Sequence, residues 1–493
     1  MEIKSFPGIF PYDPNDTENF KIVQREIDGE TVDVIFRKGH PGITVEEANA
    51  LRAEGKMVPG FSICPKFNQR TYIATDVYPH IECMQDVGVK LRDGVTIYAD
   101  IYRPADCKDP LPLLIAWGPF GKRPNEGQDE WKLMGVPPGT VSNLSKFEAC
   151  DPEYWCRYGY AVANVDPRGI GHSEGDAQCW GVEDGRDGYD FIEWAAAQDW
   201  CNGRVAMFGN SGVAMVQWRI AAEQPPHLAC FAAWEGTGDM YRESFTNGGI
   251  PRPGFDEMIV SSCSVPNWIE DIPNMLAAHP YFDKYWDTKV PKWRNIKAPV
   301  YICAGLCHFH LRGSIDGWRR VRSPKKWLRI HRDMEWPDTY SNENLEDLRK
   351  FYDRYLKDVR NGWEMTPRVR MDVTDAYDYD YFHNRKENEF PLKRRTRAEE
   401  VSIDSASVFE WVHCCLSFSR CCAKWHYAKR CCAIWHNAES IAYSNGPWQE
   451  SKFTSSTRLF APYRPSRRAA FRCVAGGVSR GLCLGRGAFM EAA

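Results

Sequence analysis

The chain has no uninterrupted apolar run approaching membrane-spanning length, and Met1 to Pro7 lacks the apolar core of a secretory leader. A cytoplasmic protein that avoids membranes is expected. Neither sign of charge is in excess: 62 Lys and Arg face 66 Asp and Glu, a formal net charge of −4, which argues against a nucleic-acid partner. Paired cysteines are missing from the first 400 residues, where eleven stand singly, as reduced and packed thiols do in a reducing compartment. No metal and no cofactor is expected. What is present is apolar material: 493 residues, 43% of them hydrophobic, suit one large domain with one or two smaller units.

The chain is organised around Gly203 to Ala214, an apolar strand Val205-Ala206-Met207-Phe208 running into Gly209-Asn210-Ser211-Gly212-Val213-Ala214 and then into helix-forming Met215 to Ala222. This is the layout of a nucleophile elbow, in which a tight strand-to-helix turn lifts a serine hydroxyl clear of a sheet. Ser211 is the candidate nucleophile. The same small residues also serve a turn that only packs a strand against a helix, so the context decides.

That context is an alternation of strands and helices. Val89 to Pro104 reads as two alternating runs around Asp93-Gly94, a hairpin signal. Leu111 to Trp117, Tyr160 to Val165, Val205 to Phe208 and Val300 to Ala304 are continuous apolar runs, as expected of strands buried on both faces, and Gly185 to Ala197 is helical in pattern between two of them. A mostly parallel sheet covered on both sides follows. Residues 1–80 read as an N-terminal extension with a helix over 44–55, residues 81–395 as the main domain, and about 238–293 as an aromatic cap insertion placed to act as a lid.

With Asp166-Pro167-Arg168-Gly169-Ile170-Gly171-His172-Ser173-Glu174-Gly175, with Leu91-Arg92-Asp93-Gly94-Val95, and with Asp184 to Trp200 leading into Asn202-Gly203-Arg204-Val205, the stretch from about Val89 to Leu356 resembles the cocaine-esterase-like and X-Pro dipeptidyl-peptidase-like serine hydrolases. The resemblance implies an α/β-hydrolase fold with a helical cap, a Ser-His-acid triad, an oxyanion hole that includes a tyrosine hydroxyl, and a C-terminal β jelly-roll. Ser211 takes the serine's place and the Gly212 N–H one oxyanion donor. The tyrosine position reads Phe120, which has no hydroxyl.

The base and acid positions also depart from the pattern. The loop after Val300 to Ala304, where the acid is implied, holds His308 and His310 but no carboxylate until Asp316, inside the next helix. The segment after Lys326 to Ile330, where the histidine is implied, reads His331-Arg332-Asp333-Met334-Glu335. Two arrangements are open: His310 as base with Glu335 or Asp333, which is favoured because it fills both places with the chemical types exchanged, or His331 as base with a carboxylate of its own loop. Each histidine taken singly also suits a structural role. His172 and Asp166 are expected to shape their loop, with Arg168 tying Glu183 or Asp184.

Residues 396–493 change character. From 401 onward twelve Lys and Arg stand against five Asp and Glu, with cysteine doublets at Cys414-Cys415, Cys421-Cys422 and Cys431-Cys432. Adjacent doublets do not suit tetrahedral zinc; a truncated or out-of-frame end of the β domain is the expectation. The whole reads as a serine hydrolase of a small apolar acyl ester or amide in secondary metabolism, with an acyltransferase or cyclase, or a non-catalytic relative, as alternatives. A small-molecule substrate is the expected partner, and a homo-oligomer is compatible with the composition.

Overall fold

A computed structural model of the chain describes residues 9–39, 71–74, 80–124, 134–263 and 265–372, with 6, 50, 53, 54 and 131 besides. The expected tail at 396–493 lies outside these residues, and so does nearly all of the helix expected over 44–55. Among the described residues no helix is long and apolar enough to cross a membrane.

Fifteen strands occur among the described residues. β1 (Phe20–Ile27) and β2 (Glu30–Lys38) form an antiparallel hairpin. The main sheet collects β3 (Thr71–Ala74), β4 (Ile81–Lys90), β5 (Thr96–Pro104), β6 (Leu111–Trp117), β7 (Ala161–Asp166), β8 (Cys201–Asn210), β9 (Leu228–Trp234), β13 (Val300–Gly305), β14 (Lys326–His331) and β15 (Val369–Met371). β10 (Thr246–Asn247) and β11 (Ile250–Pro251) pair with each other, and β12 is Trp268–Glu270. The order across the main sheet is β15-β14-β13-β9-β8-β6-β7-β5-β4-β3. The pairs from β15 to β7 are parallel, whereas β5, β4 and β3 join antiparallel, so an antiparallel opening feeds a parallel sheet. This is the α/β-hydrolase fold.

The apolar runs became the central strands because helices cover both of their faces. All of β6 and β7 is buried, and on one side Trp155, Phe351, Tyr355, Trp327 and Trp363 close the core. Losing one such indole costs about 3 to 5 kcal/mol. The turn between β4 and β5 spans five residues, closed by Leu91 N–H to Val95 O at 2.8 Å, with Gly94 at φ +94°. That positive φ explains the glycine.

The insertion over 238–293 mixes short helices with β10, β11 and β12, and β12 pairs with β2 of the N-terminal extension. The extension thus shares one small sheet with the insertion. Gly39 N–H to Asn267 O at 2.8 Å and Asp271 N–H to Ile35 O at 2.9 Å hold the two together.

Candidate active site

β8 lies at the middle of the sheet, and Ser211 follows its last residue directly. Asn210 is extended (φ −105°, ψ 154°) and Ser211 sits at φ +50°, a left-handed conformation that a serine adopts only when its surroundings impose it. Imposition comes from close packing: a Cβ on Gly209 would lie 2.2 Å from Val213 Cγ1, so the helix start is pressed onto the strand end. Both readings of the small-residue turn therefore hold at once.

The parallel strands deliver their next residues to the same edge, the usual place for a site in such a sheet. Glu235 follows β9, His308 and His310 follow β13, and Glu335 follows β14 and its terminal His331. His310 Nε2 is 3.4 Å from Ser211 Oγ, longer than a tight hydrogen bond and ordinary for a site without substrate. His310 Nδ1 is 3.4 Å from Glu335 Oε2, an ion-pair contact that leaves Nδ1 without a hydrogen bond among the described residues. Glu335 is fixed on both oxygens: Asn210 Nδ2 donates to Oε2 at 3.1 Å, and His308 Nε2 lies 3.1 Å from Oε1. Ser211, His310 and Glu335 are thereby brought into one line.

His331, the alternative base, is not brought to Ser211. Its Nε2 is 2.6 Å from Glu235 Oε1 and its Nδ1 is 3.4 Å from Asp338 Oδ1, both buried. Asp333, the alternative acid, is exposed, and Asp316 pairs with Arg319 on its own helix. The expected tie from Arg168 to Glu183 or Asp184 is corrected: Arg168 is bidentate to Asp187 at 2.8 Å and also reaches Asp93. The reason is helical phase. Asp184 turns to the helix start, accepting from Gly181 N–H, while Asp187 one turn on faces Arg168. Asp166 accepts from Lys122 Nζ at 2.7 Å, and His172 is exposed beside Asp86, so this loop is held by structural ion pairs.

Phe120 is beside Gly212, as its place in the sequence requires. Its Cε2 and Cζ lie 3.1 Å from where a Gly212 Cβ would stand, and it presents no polar atom there. Gly212 N–H instead donates to Glu148 Oε2 at 3.2 Å.

Sequence reasoning missed Glu148, Glu235 and His308. Glu235 carried a faint signal, a carboxylate at the end of a continuous apolar strand. Four of the eight non-glycine residues at positive φ among the described residues, namely Glu148, Trp180, Ser211 and Glu235, gather here.

Charge sets the protonation of each group. Burial would raise Glu335, but the His308 charge and hydrogen bond, then those of His310, outweigh it and hold the carboxyl well below the usual range. Burial and then the neighbouring His308 lower His310, so it is neutral at neutral pH. Burial opposes a charge on His331 too, yet Asp338, Cys303 and Glu235 together outweigh it and favour the protonated ring. Glu148 is pushed well up by burial and then by the charge of Glu335.

One ligand atom each from Glu235, His308, His310 and Glu335 lies within 4.8 Å of the others, a two-histidine, two-carboxylate group close enough to share a metal ion. Beside Gly212 lies a narrow crevice lined by Trp117, Ile170, Trp180 and Val216 and by Cys263 and Ile269 of the insertion. Its interior of about 20 Å³ has room for roughly one water molecule.

Residues 93–268 match the family model described as X-Pro dipeptidyl-peptidase (S15 family). The chain is 32% identical over 164 residues to cocaine esterase of Rhodococcus, an overlap of 33% of this chain and 25% of that protein. It therefore spans about a quarter of the length of that curated relative. Among solved structures, a CocE/NonD family hydrolase from Staphylococcus aureus superposes with a TM-score of 0.57 at 32% identity, covering 68% of this chain and 60% of that one. A second structure of the same protein gives 0.55 at 29% identity, covering 75% and 59%. Sheet order and the superposed hydrolase structure show the α/β-hydrolase fold, and within it the matched stretch is similar to the X-Pro dipeptidyl-peptidase (S15) family and to cocaine esterase.

Proposed function

We propose that the protein is a serine hydrolase that cleaves an ester or amide of a small apolar acyl compound through an acyl-enzyme. The supporting observation is the line Ser211 Oγ, His310 Nε2, Nδ1, Glu335 Oε2, with 3.4 Å at each step. His310 takes the serine proton as Oγ attacks the carbonyl, then gives it to the departing alcohol or amine; water repeats the exchange and frees the acid. Glu335 holds the ring and balances its charge. The Gly212 N–H faces the oxygen that becomes negative. The insertion over 238–293 acts as the lid, since Cys263 and Ile269 wall the crevice and Phe255 packs edge-to-face on Phe309, next to His310, with ring centroids 5.6 Å apart. The protein works in the cytoplasm, on a secondary metabolite.

Acyl transfer to an alcohol or amine is the second reading, favoured by the apolar lining of the crevice, which disfavours water. Fluorophosphonate labelling of the folded protein, with mass spectrometry of the modified peptide, tests the nucleophile. Label on Ser211 that is lost in His310→Ala supports the proposal, and no label leaves a non-catalytic relative. Product analysis with and without an added acceptor separates hydrolysis from transfer.

A further inference from the structure

The mechanism above leaves one group at the serine unused, the side chain of Glu148. It is 2% exposed and sits at φ +61° on the loop between β6 and β7. The loop is clamped: its carbonyl accepts Asn210 N–H at 3.1 Å, and the Tyr340 hydroxyl donates to Ala149 O at 3.0 Å. Oε2 accepts from Gly212 N–H at 3.2 Å and Oε1 from Trp336 Nε1 at 3.2 Å, with the Ser211 hydroxyl also against the carboxyl. All three partners are neutral.

Among the described residues, the other side of Gly212 offers no second donor. Phe120 presents ring carbons, and the Trp180 indole N–H is engaged by Gly212 O at 2.9 Å. Negative charge developing on a substrate oxygen at Gly212 N–H would meet a single backbone donor unless Glu148 supplies another.

We propose that Glu148, as a carboxylic acid, is the side-chain hydrogen-bond donor to that oxygen, and hence a catalytic residue. This rests on the reading of Ser211 as nucleophile. The substrate oxygen displaces Glu148 Oε2 from Gly212 N–H; the carboxyl swings aside and turns its O–H to the same oxygen. No proton is transferred. Ionised, the same group would repel the oxyanion and keep Gly212 N–H for itself, so its proton is a condition of activity.

The surroundings supply that condition. Burial comes first, then the charge of Glu335, and the donors Trp336, Ser211 and Gly212 offset these only in part. The other titratable groups facing the carboxyl are Tyr340 and Lys146, with His310 beyond Ser211. Lys146 is turned away, donating to Gly121 O at 2.9 Å. A single donor of this kind is worth about 10²- to 10³-fold in rate.

The test measures p-nitrophenyl butyrate hydrolysis and fluorophosphonate labelling of the full chain from about pH 5 to about pH 10, for wild type, Glu148→Gln and Glu148→Leu. Wild type is expected to lose activity on the alkaline side. Gln, which keeps an N–H donor but cannot ionise, should stay within about tenfold at neutral pH and lose that alkaline fall, while Leu drops about 10²-fold or more, in kcat rather than KM. A Leu variant labelled as fast as wild type or faster would overturn the proposal, because Glu148 would then only obstruct Gly212 N–H. An alkaline fall unchanged in Gln overturns it equally, and decides the matter if Leu does not fold. Absence of label on Ser211 in folded wild type removes the nucleophile and this inference with it; label whose rate ignores Glu148 removes the inference alone.

Discussion

His331 Nε2 lies 2.6 Å from Glu235 Oε1, so a second buried histidine–carboxylate pair stands behind the one that faces Ser211. With Asp338 on its other side, His331 keeps its proton and has no basic nitrogen to offer. His310, lowered by burial and then by His308, lacks such a clamp and is the ring we propose as base.

Labelling should separate the two histidines. Ser211→Ala is expected to abolish fluorophosphonate labelling, and His310→Ala to slow it by roughly 10³-fold or more. His331→Ala should lower the melting temperature while folded molecules still label, because its contacts are structural. Slow labelling in folded His331→Ala would reverse the assignment.

The acid side of the pH profile follows from His310. Its pKa is below the ordinary 6.5, so the neutral, proton-accepting ring forms as pH rises through that lower value. Activity is expected to climb in the acid range and be complete by neutrality. A half-maximum above the ordinary histidine value would contradict this.

Stability should hinge on Asp338. It makes a bidentate pair with Arg329, both buried, and its pKa is held down, although burial opposes this, mainly by Arg329 and then His331. A depressed folded pKa gives stability that is present above the unfolded carboxylate value and lost as pH falls through the folded one. Asp338→Ala is expected to cost about 3 to 5 kcal/mol in urea unfolding, because it strands a buried guanidinium. Asp316→Ala, whose pairs with Arg319 and Arg320 span 3.8 and 3.9 Å at the surface, should cost under about 1 kcal/mol.

Acyl chain length should follow the crevice. Its small interior favours short chains, and Ile269→Ala is expected to raise the hexanoate-to-acetate ratio of p-nitrophenyl ester hydrolysis by several-fold, since each buried methylene is worth about 0.8 kcal/mol. An unchanged ratio would place the acyl group elsewhere.

Zinc provides a probe of the four-ligand cluster. A cation bound by Glu235, His308, His310 and Glu335 would take His310 from Ser211, so added zinc is expected to suppress labelling and a chelator to restore it. Equal inhibition in Glu235→Gln and wild type would place the zinc at other ligands.

The sheet was legible in the sequence because strands covered on both faces must be apolar throughout. Leu111–Trp117 and Val300–Gly305 stand where their hydrophobic runs end. The strand-to-helix turn at Ser211 was legible too, since close approach at Gly209 leaves its mark in residue size, whereas the exchange proposed for His310 and Glu335 rests on contacts that appear only in the fold. The pairing of β2 with β12 was not: its partners are some 230 residues apart, β12 is three residues long and more than half of β2 is polar. Glu148 and Glu235 were equally silent. A carboxylate in a sequence looks alike whether water or protein surrounds it; only the fold, by burying Glu148 against Gly212 N–H and Glu235 against His331, decided what protons those groups hold and what chemistry is open to them.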